Sequence, residues 1–161
     1  MKLSNKYVES RDIDWFAVIN GKYIHVASAG GNLPKKINDR MKLIDEQAAV
    51  HKLPFIYEKD EIVVNEELLR KEKHLENIEA YIESFVYMAR KGFISFDRTN
   101  ITDHTDSMYH IVCYPQDIKT KDLRIGLDLL EIKVNVNVFD TMKLLDIVEI
   151  IDKSMIHIEK Q

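Results

Sequence analysis

The segment from Asp14 to Ala27 constrains the fold most, because two apolar runs, Trp15 to Ile19 and Lys22 to Ala27, are separated only by Asn20-Gly21. An Asn-Gly pair favours a type I′ hairpin, in which both central residues take positive φ, and a two-residue loop fixes the strand register. Val18 then lies opposite Tyr23, Ala17 opposite Ile24, Phe16 opposite His25 and Trp15 opposite Val26. Strand alternation places Trp15, Ala17, Ile19, Ile24 and Val26 on one face and Phe16, Val18, Tyr23 and His25 on the other. Both faces call for cover, so the hairpin is expected in the middle of a sheet.

The loop Ser28-Ala29-Gly30-Gly31-Asn32-Leu33-Pro34 follows, and helical spacing of Ile37, Met41, Ile44 and Ala48 predicts a helix over 34–51 with Asn32 as its N-cap. Residues 55–57 and 61–64 read as short strands. The stripe Leu68, Leu75, Ile78, Ile82, Phe85 and Ala89 predicts one long amphipathic helix over about 66–91, with Glu early, Arg90-Lys91 late and Gly92 as terminator. Its outer Glu72, Glu76, Glu79 and Glu83 read as a solvated face.

Residues 93–96 and 108–114 are expected as strands. Apolar residues alternate on odd positions from Leu123 to Leu129 but on even positions from Ile132 to Val138. A strand cannot exchange faces without a break, so a kink is expected near 129–131. A short helix through Leu123, Leu127 and Leu130 is the competing reading. The doublets Leu144-Leu145, Ile147-Val148 and Ile150-Ile151 predict a last helix capped by Asp140. Helices and strands do not strictly alternate, which predicts an α+β fold with a mainly antiparallel sheet, the long helix and one or two further helices packed on it.

Length and composition fit one domain over residues 1–161: the chain is 45% hydrophobic and 31% charged. A net charge of −4 disfavours nucleic acid as a partner, since that needs concentrated Lys and Arg. No apolar run reaches the roughly 18 residues of a membrane span, and residues 1–7 lack the apolar core of a secretory signal. One cysteine, Cys113, excludes an internal disulfide and a thiolate zinc cage. A buried, inert thiol in a cytoplasmic protein is expected. Abundant Ile, Lys and Asn suit a bacterial chain.

Three places offer chemistry. The loop at 28–34 could aim backbone N–H groups at an anion through Gly30, Gly31 and Asn32, with Lys35 adding positive charge. Its spacing matches neither a P-loop nor a dinucleotide fingerprint, so glycines serving a tight turn are the plainer account. Asp103, His104, Asp106 and His110, with Asp97 nearby, carry ligand types that a divalent metal accepts, against the plainer account of a solvated loop. His25 and Ser28 are the catalytic candidates, although they are three residues apart on opposite strand faces, and a structural, hydrogen-bonded histidine is the ordinary alternative.

No complete catalytic constellation emerges, and no cofactor is predicted. The favoured expectation is a non-enzymatic protein-binding or regulatory domain whose partner is another protein or itself, as a homodimer. The alternative is a small hydrolase or anionic-ligand-binding protein using the 28–34 loop, with a divalent metal at 97–110.

Overall fold

In a computed structural model, the structure describes residues 2–72, 77–103, 105–117 and 127–154. The hairpin forms with the expected register: β1 (Asp14–Ile19) and β2 (Lys22–Ala27) are antiparallel, with Asn20 at φ 51° and Gly21 at φ 80°. Trp15, Ala17, Ile19, Ile24 and Val26 enter one hydrophobic cluster, while Phe16, Val18 and Tyr23 enter another. Each fully buried large side chain contributes about 1.5–3 kcal/mol relative to exposure, so the two-sided burial makes this hairpin the sheet's anchor.

Among the described residues, four more strands join the sheet: β3 (Ile62–Val64), β4 (Ile94–Arg98), β5 (Tyr109–Pro115) and β6 (Glu131–Ile132). Their order is β3-β5-β4-β2-β1-β6. The expectation of a mainly antiparallel sheet is corrected here, because β2 pairs with β4 and β1 with β6 in parallel, giving a mixed sheet. The physical reason is the long connection from 28 to 93, whose helices carry the chain back to enter β4 in the direction of β2.

The helices are shorter than the hydrophobic stripes suggested. Helix α1 (Asn5–Glu9) precedes β1, with Ser4 accepting a hydrogen bond from the Tyr7 N–H. The expected 34–51 helix is two, α2 (Lys35–Asp39) and α3 (Leu43–His51), because Met41 between them takes φ 59°; Pro34, not Asn32, stands at the first N-cap. The expected 66–91 helix is likewise α4 (Glu66–Glu72) and α5 (Ile78–Arg90), and Leu75 and Glu76 lie outside the described residues. Asn77 starts α5 afresh by accepting the Ala80 N–H at 3.1 Å. Residues 55–57 form no strand; the N–H groups of Ile56 and Tyr57 both donate to the Arg90 carbonyl.

Leu127 and Leu129 join the Phe16 cluster, whereas Leu130 and Ile132 join the Trp15 cluster, so the chain changes faces between Leu129 and Leu130. Leu123 and Ile125 lie outside the described residues. The strand expected over 132–138 stops at Ile132, and the last helix, α6 (Ile147–Asp152), is capped by Asp146 rather than Asp140. Asp140 instead accepts the Met142 N–H in a turn. Among the described residues, no helix is long and apolar enough to cross a membrane.

Candidate functional site

Strands β2 and β4 run parallel and end side by side, and the chain leaving β2 turns at once over the side chains leaving β4. Ser28 is fully buried and accepts the Ile13 N–H at 2.8 Å, which pins the turn to the chain entering β1. The turn then spends its own donors internally. The Ala29 N–H goes to the Asp12 carboxylate at 2.9 Å, that of Gly30 to the Arg11 carbonyl and that of Gly31 to the Ser28 carbonyl. An anion at this loop would have to displace Asp12, which already occupies the position a ligand carboxylate would take.

Gly31 has a packing role. A Cβ there would sit 2.7 Å from the Tyr109 hydroxyl and 3.0 Å from Arg98 Cδ, so only glycine lets those side chains lie beneath the turn. Arg98, 2% exposed, donates to the carbonyls of Ala29, Asp103 and Asp106, the last from both Nε and Nη2. The Asp103 and Asp106 carbonyls thus replace the water that burial removes from the guanidinium. Burial also raises the Tyr109 phenol well above its ordinary range, with the Arg98 charge opposing.

Turn, arginine and tyrosine border a cavity of about 610 Å³ that α6 also lines, through Val148, Glu149 and Asp152. Gly30, Gly31, Asn32 and Asp106 line it; Lys35, His25, Ser28 and His110 do not. Among the described residues, its charged lining is five carboxylates, Glu9, Asp106, Asp146, Glu149 and Asp152, against two cations, Arg98 and Lys153. Lys153 pairs with Glu149, which lowers the glutamate's pKa and raises the lysine's. Asp146 accepts the Ser107 hydroxyl at 2.6 Å and the Glu149 N–H at 3.1 Å, fixing one wall. With Arg98 bonded to carbonyls, the mouth is acidic.

His25 belongs to a different place. Its Nε2 lies 2.8 Å from Asp14 Oδ1 and its Nδ1 3.0 Å from Ser95 Oγ, and that hydroxyl is 3.3 Å from the Phe85 carbonyl. Acid, imidazole and hydroxyl are thus in series, but the hydroxyl is the interior end: Ser95 is 0% exposed, whereas the Asp14 side chain is 45% exposed. A nucleophile has to meet substrate, so this order suits a pin between β2 and β4 better than a catalytic relay. Neither Asp14 nor Ser95 stands out in the sequence; Ser95 becomes visible as a partner only once β4 is known to lie beside β2, in register with His25.

The residues considered for a metal scatter. His110 is fully buried, with Nδ1 2.9 Å from the Thr99 hydroxyl and Nε2 3.5 Å from the Tyr81 hydroxyl, which itself donates to Asp97. Asp103 accepts from the Thr105 N–H and hydroxyl, and Asp106 accepts the Met108 N–H. His104 lies outside the described residues. Among the described residues, no group of three or more His, Cys, Asp or Glu side chains is placed to hold a metal ion. Cys113 is buried, which pushes its thiol up to about 12.

Comparison with protein-family models, with curated proteins and with solved structures finds no match.

Proposed function

We propose that this chain is a non-enzymatic protein-binding module whose cavity beneath Gly30-Gly31 receives a positively charged group from its partner. The observation carrying this reading is the acidic lining: among the described residues, Glu9, Asp106, Asp146 and Asp152 have no lysine or arginine side chain within ion-pair distance, while Arg98 is engaged by carbonyls and Lys153 by Glu149. A lysine or arginine side chain entering such a pocket exchanges water for several carboxylates in a partly enclosed site, where each pairing gains more than at an open surface. The alternative, an anion-binding or hydrolytic site at 28–34, has less support, because the Ala29, Gly30 and Gly31 N–H groups are already donated and Asp12 takes one of them.

The test is titration of an oligolysine peptide into the protein by calorimetry at about 0.02 M and about 0.3 M salt, where the screening length differs several-fold. Saturable binding that weakens with salt and is lost in the double variant Glu9→Gln with Asp152→Asn is expected. No binding at low salt, or binding indifferent to the two substitutions, rejects the reading. Sedimentation of the protein alone over a range of concentrations separates a foreign partner from a second copy of the chain.

A further inference from the structure

Helices α2 and α3 meet at the corner Arg40-Met41-Lys42, and that corner grips the chain entering β6 through a small charge cluster. Arg40 Nη2 donates to Glu46 Oε2 at 3.2 Å and to the Asp128 carbonyl at 2.6 Å, with Asp128 Oδ1 3.8 Å away. Lys42 Nζ lies 2.6 Å from Asp128 Oδ2. Glu46 is 5% exposed, and among the described residues neither its Oε1 nor Arg40 Nε has a hydrogen-bond partner. The gripped stretch is the one that supplies the sheet's edge, since the Val18 N–H donates to the Leu130 carbonyl and the Asn20 N–H to that of Ile132.

We propose that Arg40, Glu46 and Asp128 form a proton-controlled clasp, closed over the 127–132 segment while Glu46 carries its proton and loosened when the proton is lost. Ionised, Glu46 would be a buried anion with one bare oxygen, facing a second carboxylate in Asp128. Opening the corner relieves both by admitting water to the carboxylate. The charged groups facing Glu46 are Arg40 and Lys42 from its own corner and Asp128 from the gripped segment.

Burial, reinforced by Asp128 and opposed by Arg40 and Lys42, pushes the Glu46 carboxyl from the ordinary 4.5 up to about 7. The sign follows from linkage. A carboxyl raised in the closed form supports closure fully below 4.5, and that support is lost as pH rises through about 7. A hydrated Glu46 in the open form returns towards its ordinary value, so the open fraction grows on the order of a hundredfold between about pH 5 and about pH 8 and levels off above that.

Hydrogen exchange at the Val18 and Asn20 amides reads this opening directly, once each rate is divided by its intrinsic rate at the same pH. The protection factors of the wild-type protein should fall by about two orders of magnitude over that interval, by the linkage relation above. In Glu46→Gln they should be flat, and in Asp128→Asn the midpoint should move to lower pH because the facing charge is gone. Should Glu46→Gln fail to fold, an NMR titration of the Glu46 carboxyl in the wild type serves instead. A midpoint near 4.5, or Val18 and Asn20 protection that does not change with pH, overturns the clasp.

Discussion

Replacing Lys91 by methionine is the sharpest test of how the helices are joined. Lys91 is 1% exposed, and its three ammonium protons meet three oxygens, the carbonyls of Val50 and His51 at 3.0 and 2.9 Å and the Tyr87 hydroxyl at 2.8 Å. Val50 and His51 are the last residues of α3, where carbonyls have no intrahelical partner and the helix dipole is negative, so a lysine from the end of α5 finishes a different helix. The ammonium also lies 4.2 Å from the Tyr87 ring centre, over its face. Charge-assisted hydrogen bonds contribute about 1.5–3 kcal/mol each, but dehydrating the ammonium costs several kcal/mol. Methionine keeps the apolar stem and leaves the His51 carbonyl without its donor, while the Tyr87 hydroxyl keeps His51 Nδ1 at 3.3 Å, so the net destabilisation is about 1–1.5 kcal/mol. Urea unfolding of Lys91→Met followed by circular dichroism measures it. A change below about 0.5 kcal/mol, with the slope on urea unaltered, would mean that dehydration of the ammonium cancels its bonds and that something else joins α3 to α5.

Two further outcomes follow from the site and core. Gly31→Ala should destabilise by about 1–3 kcal/mol in the same urea assay, since its Cβ has no room beside the Tyr109 hydroxyl and the Ser28 carbonyl; a neutral result would show that Arg98 and Tyr109 do not need the turn pressed onto them. Cys113, buried and with its thiol pushed up to about 12, should resist iodoacetamide at neutral pH in the folded protein and react promptly in denaturant, and equal rates in both states would contradict its placement.

What the sequence discloses here is bounded by the distance over which its signals act. Asn20-Gly21 dictates its turn with two residues, and the turn carries both flanking strands into register, so the hairpin and its two faces can be read from these residues alone. The face change between Leu129 and Leu130 is readable for the same reason, because parity is a local property. The parallel pairings are not: nothing near Ile24 indicates that Ile94 will lie beside it, and a crossover of this length leaves the choice to tertiary packing. The helix breaks fall between these cases. Asn77 is an ordinary capping residue, but the apolar stripe runs through it in phase and hides the break, whereas Met41 enters the left-handed region with no residue-type signal at all.

The candidate site shows the same limit, with a consequence for its chemistry. Gly30 and Gly31 mark a sharp turn in the sequence, and the structure assigns their freedom to close packing, Gly30 against the Glu9 backbone and Gly31 against Tyr109 and Arg98. The residues that give the cavity its character come from four other places in the chain, Glu9, Arg98 with Asp106, Tyr109 and the α6 helix. Reading the glycine turn alone suggests an anion site, because exposed N–H groups are positive. The assembled cavity reverses that sign: Asp12 already takes one donor, backbone carbonyls take the guanidinium, and carboxylates are left at the opening. The acidic character of the cavity therefore depends on which polar groups the fold has already consumed, and that depends on long-range contacts that no local motif records.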